Sequence, residues 1–78
     1  MEELLLTIVR GLVDDPAAVT VTQDEPQEDG TVVYHLRVAA DDMGRVIGKQ
    51  GRIAKAMRTV MRAAASRQNV KVAVEIDD

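Results

Sequence analysis

The 78-residue sequence has no cysteine, no tryptophan and no phenylalanine, and Tyr34 is its whole aromatic content. Without cysteine there are no disulfides and no thiolate metal sites, and a single histidine gives no metal cluster. With one aromatic ring, stacking of bases on rings is excluded as a main mode of binding single strands. No apolar run approaches the ~20 residues of a membrane-spanning helix, so no membrane partner is expected. The opening Met1-Glu2-Glu3 is acidic where a secretory signal is basic, which makes the expected location cytoplasmic. The length is that of one domain spanning residues 1–78, with a core that must be economical to be stable.

Basic residues are also in deficit, and the formal net charge is -3. That average hides an asymmetry. Residues 41–67 hold seven basic side chains (Arg45, Lys49, Arg52, Lys55, Arg58, Arg62, Arg67) against two acidic ones. The remainder holds three basic and eleven acidic side chains. A basic stripe on an acidic body points to a polyanionic partner held at one place, with indiscriminate binding elsewhere suppressed.

The apolar periodicity predicts a helix over 3–13, with Leu5, Ile8, Val9 and Leu12 on one face, closed by Asp14-Asp15-Pro16. Alternation of Ala17, Val19 and Val21 with Ala18, Thr20 and Thr22 predicts a strand. A polar turn at 23–30 leads into the clearest strand, where Val32, Tyr34, Leu36 and Val38 point one way and Val33, His35 and Arg37 the other. Asp41 is placed to cap a short helix at 42–47, which Gly48 breaks. A second helix is expected over 52–67, with Ile53, Met57, Val60, Met61 and Ala64 on its apolar face and Arg52, Lys55, Arg58 and Arg62 opposite. Val70, Val72, Val74 and Ile76 form a last alternating strand. The fold class is therefore α+β in two layers, α-β-β-α-α-β, with a mixed three-stranded sheet covered on one face by helices.

The chemistry concentrates in Gly44-Arg45-Val46-Ile47-Gly48-Lys49-Gln50-Gly51-Arg52-Ile53-Ala54-Lys55. Two glycines three apart, between two helices, let backbone press against a sugar-phosphate chain. The free amides opening the next helix favour anions, and Lys49, Arg45 and Arg52 surround them with positive charge. Ile47, Ile53 and Ala54 are placed to floor an apolar groove. Gly44 and Gly48-Lys49 superficially suggest a nucleotide-binding loop. Only three residues separate those glycines where four are needed, and Gln50 stands where a magnesium-holding Ser or Thr is required, so ATPase activity is rejected.

Gly-x-x-Gly alone is weak, and a helix–helix turn explains it equally well. With Ile47, Lys49 and Ile53 in place, and in this element order, the stretch resembles the KH domain, in its type II arrangement. Leu12-Val13-Asp14-Asp15-Pro16, Val38-Ala39, Asp42-Met43-Gly44 and the run Val46 to Ala56 extend the resemblance, over essentially the whole chain, to the KhpA family of small bacterial single-KH proteins. That resemblance implies binding of single-stranded RNA and a role as RNA chaperone or post-transcriptional regulator in the bacterial cytoplasm, tied in some bacteria to cell shape. It also implies a homodimer, or a heterodimer with a larger KH-containing (KhpB/Jag-like) protein. The expected RNA-binding residues are Arg45, Ile47, Gly48, Lys49, Gln50, Gly51, Arg52, Ile53, Ala54 and Lys55, with no cofactor and no metal.

The competing readings are plainer. The basic row is an ordinary solvated helix face unless it continues the loop, and Arg62 and Arg67 are left as surface residues. Met57 and Met61 are core filler, and His35 is an exposed strand residue with no partner for catalysis. No nucleophile, base or metal set suggests an enzyme. The alternative function is that of a protein-interaction subunit that docks a larger RNA-binding partner without touching RNA.

Overall fold

The computed structural model describes residues 1–77. Leu5 and Val9, four apart, are both fully buried on one stripe of the first helix, α1 (Glu2–Arg10). The helix ends at Gly11, earlier than the apolar spacing predicts, because the amide of Leu12 turns back to the carbonyl of Val9 at 2.9 Å. A single 3-10 turn at Pro16–Ala18 follows, so the first strand, β1 (Thr20–Gln23), begins after the alanines expected to open it. Proline fixes the turn and removes an amide that a strand needs.

β2 (Val32–Arg37) is the central strand, antiparallel to β1 and parallel to the last strand, β3 (Val72–Ile76). Its alternation is largely as expected: Tyr34 and Leu36 are buried under the helices. Val33 departs from it. That residue is 7 % exposed on the face assigned to solvent, because a central strand is flanked on both sides.

The parallel crossover from β2 to β3 runs through two helices, α2 (Met43–Ile47) and α3 (Arg52–Arg67). The buried stripe of α3 is Ala54, Met57, Met61 and Ala65, rotated from the face expected from the larger side chains. Val60 is 47 % exposed and Ile53 36 %. Ala65 joins the core cluster with Tyr34, Leu36, Val72 and Val74 of the sheet. Leu5, Val9, Leu36, Val46 and Met61 are the largest fully buried side chains, each stabilising the fold by about 1.5–3 kcal/mol.

α3 closes in a Schellman motif. Asn69 adopts φ 58°, its amide reaching Ser66 O at 3.2 Å, while the amide of Val70 reaches Ala65 O at 3.0 Å. Val70 therefore belongs to the helix cap, not to the strand expected to include it, and is exposed.

Asp41 makes no capping hydrogen bond. A 3-10 turn at Ala40–Asp42 leads into α2, and the neighbouring Asp42 is the side chain put to use. Only 2 % exposed, its carboxylate accepts the backbone amides of Asp14 and Asp15, each at 3.1 Å. That bond ties the end of the α1 segment to the start of the helix that carries the glycine loop. Among the described residues no helix is long and apolar enough to cross a membrane.

Candidate nucleic-acid interface

Gly48 ends α2, its amide donating to Gly44 O at 2.9 Å. Its backbone sits at φ 74°, ψ 176°, a region open essentially only to glycine. A Cβ there would lie 2.7 Å from Ile53 Cγ1, so the glycine also makes room for the first turn of α3. Lys49 and Gln50 follow in one 3-10 turn, with Gln50 left-handed at φ 57°. Gly51, at φ 73°, ψ 17°, caps α3, and a Cβ added to it meets nothing within 4 Å. The two glycines thus differ: Gly48 is filled in by Ile53, while the space at Gly51 is open.

Lys49, Gln50, Arg52 and Lys55 are exposed around this tip, and Arg52 Nη2 donates to Gln50 Oε1 at 3.4 Å. Among the described residues no carboxylate pairs with Lys49, Arg52 or Lys55. Their charge is available to a phosphate. Arg45 differs from them. It lies 2.8 Å from Asp14 and 3.4 Å from Asp42, so its guanidinium braces the α1–α2 junction.

Ile47 and Ile53, 37 % and 36 % exposed, present apolar surface beside the loop, as a groove floor requires. Ala54 does not. It is 5 % exposed on the stripe of α3 that faces the core.

The far wall of this surface is a strand edge, and only the fold shows which strand supplies it. β3 is an edge strand, and a groove runs between it and α3, lined by Arg58, Met61, Arg62, Val72, Val74 and Glu75. In the parallel ladder Val32 N–H reaches Lys71 O at 2.9 Å and Asp77 N–H reaches Leu36 O at 2.8 Å. Residues 71, 73, 75 and 77 therefore give their backbone groups to β2, and those of Val72, Val74 and Ile76 face the free edge. Arg58 Nε donates to Val74 O at 3.0 Å, which holds that guanidinium in the groove. Arg62, set aside as a surface residue on sequence grounds, lines it too. The signal for both was present in their spacing along the basic row. What was missing was the position of β3 against it.

The model of the KhpA/KhpB KH domain matches residues 2–76. The chain belongs to the KhpA/KhpB KH-domain family. Curated relatives named RNA-binding protein KhpA include one from Listeria monocytogenes, 53 % identical over 97 % of this chain and 97 % of the relative. Another, from Clostridium acetobutylicum, is 51 % identical over 97 % and 99 %. A third, from Chlamydia trachomatis, is 49 % identical over 97 % and 95 %. Among solved structures, Era from Aquifex aeolicus bound to GDP and aluminium fluoride superposes with a TM-score of 0.66 at 19 % identity. It is matched over 96 % of this chain and 28 % of its own, a likeness of fold alone. The type II order of a KH domain, α-β-β-α-α-β, is the order of the elements described above.

Proposed function

We propose that this chain binds single-stranded RNA, with the backbone of Gly48–Gly51 against the phosphates and the bases in the groove between α3 and the free edge of β3. The observation that carries this reading is the loop itself. Gly51 leaves open space beside it, and unpaired Lys49, Arg52 and Lys55 surround it. Its relatives bear the name RNA-binding protein, which agrees. About four nucleotides fit such a site. Ile47 and Ile53 supply apolar contact, Lys49 and Arg52 neutralise charge, and Gln50 sits at the tip. Affinity from one groove is expected on the order of micromolar, since few phosphates are met.

The cellular role that follows is that of an RNA chaperone or post-transcriptional regulator in the cytoplasm, acting without cofactor or catalysis. Association with a second copy, or with a larger KH-containing partner, fits an apolar patch on the outer side of α3 made by Val60, Ala63 and Ala64. Two grooves in one particle raise the effective affinity for a long RNA.

The test is binding of short single-stranded RNA by wild type and by the Lys49→Asp, Gln50→Asp double variant, with circular dichroism as a check on folding. Loss of binding with the fold intact is the expected result. Equal binding by both proteins refutes the loop as the grip. Absence of binding by either favours the alternative, a subunit that only docks a protein partner.

A further inference from the structure

His35 lies on the open side of the sheet, away from the helices, at the middle of three strands. It is half-buried, not the free strand residue that the alternation suggests, and carboxylates from both neighbouring strands converge on its ring. Asp24, just beyond β1, places Oδ2 2.7 Å from Nε2. Asp77, just beyond β3, places Oδ2 3.1 Å from Nδ1, and Glu75, the cross-strand partner of His35, places Oε2 3.7 Å from the same nitrogen.

The two ring nitrogens have different surroundings. A short contact to Asp24 favours a proton on Nε2, donated to that carboxylate. Nδ1 then presents a lone pair toward the oxygens of two further carboxylates. Three electron-rich atoms so arranged repel one another unless a proton or a cation stands among them. A proton on Nδ1 serves one oxygen; a divalent ion serves all three. The ligand atoms of His35, Glu75 and Asp77 lie within 4.8 Å of one another. A tetrahedral ion with bonds of about 2.0–2.1 Å sets its ligand atoms about 3.3–3.4 Å apart. The separations of 3.1 and 3.7 Å from Nδ1 bracket that edge.

We propose that His35 Nδ1, Glu75 and Asp77 form a site for a divalent cation of the zinc class, with Asp24 as the positioning residue that fixes the imidazole tautomer. A nitrogen donor and only three protein ligands select a borderline ion over magnesium or calcium, which ask for a full shell of oxygens. Water completes the coordination. The ion bridges β2 to β3, while Asp24 holds the ring from β1, as carboxylates behind metal-bound histidines do. Alternation places Arg37 of β2 and Glu75 of β3 on this face, with Asp24 just beyond β1 and Lys71 and Asp77 at the two ends of β3. Protons compete for Nδ1, so affinity falls as the imidazole titrates. No residue of the site belongs to the glycine loop, so it stands or falls apart from the RNA reading.

The sequence contains one histidine, which makes the readout unambiguous in a full-length, tag-free chain. Zn2+ is titrated by calorimetry in a non-chelating buffer, and the imidazole nitrogens are followed by long-range proton–nitrogen correlation. The expected result is one ion per chain, bound through Nδ1 with the proton kept on Nε2. His35→Gln should abolish binding, and Glu75→Gln, a change at an exposed side chain that spares the fold, should weaken it at least about tenfold. Asp24→Asn should weaken it about tenfold and shift the tautomer. Lack of saturable binding, binding indifferent to His35→Gln or Glu75→Gln, or ligation through Nε2 would overturn the proposal. So would a Zn2+-silent spectrum in which Nδ1 only takes a proton.

Discussion

Gly48→Ala separates the two glycines of the loop most sharply. The backbone at φ 74°, ψ 176° costs any other residue about 1–3 kcal/mol. The new methyl also lands 2.7 Å from Ile53 Cγ1, 3.0 Å from Cδ1 and 3.1 Å from Cβ. A rotamer change moves the first two atoms, but Cβ is fixed to the helix, so overpacking adds about 1–3 kcal/mol. Even about 3 kcal/mol, toward the low end of the resulting sum of about 2–6 kcal/mol, is a large share of the roughly 4–12 kcal/mol that holds a domain of this size together. It corresponds to a fall in Tm of about 12–24 °C. Gly51→Ala meets nothing within 4 Å and bears only the left-handed backbone penalty, about 1 kcal/mol.

Thermal and urea unfolding of both variants, with Ile53→Ala as a third arm, tests this arithmetic. Truncating Ile53 removes Cγ1 and Cδ1 and the cost of moving them but keeps Cβ, so Gly48→Ala should cost less on that background, by at most about 1 kcal/mol. RNA binding is expected to run in the opposite order. Gly51→Ala should keep the fold yet set a methyl in the space the proposed mode gives to phosphate, so its affinity should drop by more than its stability. A Gly48→Ala protein that melts with wild type would refute the reasoning, as would a Gly51→Ala protein that is the less stable of the two.

Asp42→Ala should cost about 2–4 kcal/mol in urea unfolding, because two backbone amides lose their charged acceptor in a buried place; a loss under about 0.5 kcal/mol removes the role assigned to it. Hydrogen bonds to Asp24 and then Asp77 raise the pKa of His35 above its ordinary value of 6.5. Its stabilising contribution is therefore complete below about pH 6.5 and is lost as pH rises through the higher folded value. In chelator-treated buffer the Tm difference between wild type and His35→Gln should shrink with rising pH, and a difference that grows contradicts the sign. The slope of log affinity for short RNA against log salt should be shallow, and Lys49→Ala should flatten it by about 0.7, one neutralised phosphate. An unchanged slope takes Lys49 out of phosphate contact.

Much of this architecture is legible in the residues because its signals are local. The alternation of β2, the Gly48-Lys49-Gln50-Gly51 loop and the long basic helix after it each follow from periodicity or backbone chemistry. The misreadings have a common physical cause, which is that the decisive partner is distant in sequence. Val60 looks like core until the fold buries Ala54 and Ala65 instead. Arg45 looks unpaired until Asp14, thirty-one residues away, comes within 2.8 Å of it. Asp41 and Asp42 are equivalent as sequence, and only the fold brings the amides of Asp14 and Asp15 to one of them. His35 acquires its carboxylates from β1 and β3, neither of which its own alternation reveals.

In the proposed mode of binding, the loop and the strand edge divide the work of recognition. Contacts made by glycine backbone and by Lys49 would read phosphate, which is the same in every RNA, and so give grip without choice. Choice must come from groups whose spacing is fixed. The edge-facing N–H and C=O groups of Val72, Val74 and Ile76 meet that need, because their positions are set by the register of β3 on β2. Arg58 bears on this directly. By occupying Val74 O it withdraws one acceptor from the edge and adds a guanidinium in its place. A base that lies beside Val74 therefore meets donors from both sources, and one rich in acceptors is favoured there. On the same reading, the acidic body outside residues 41–67 should repel RNA that strays from this groove and confine a weak grip to one path.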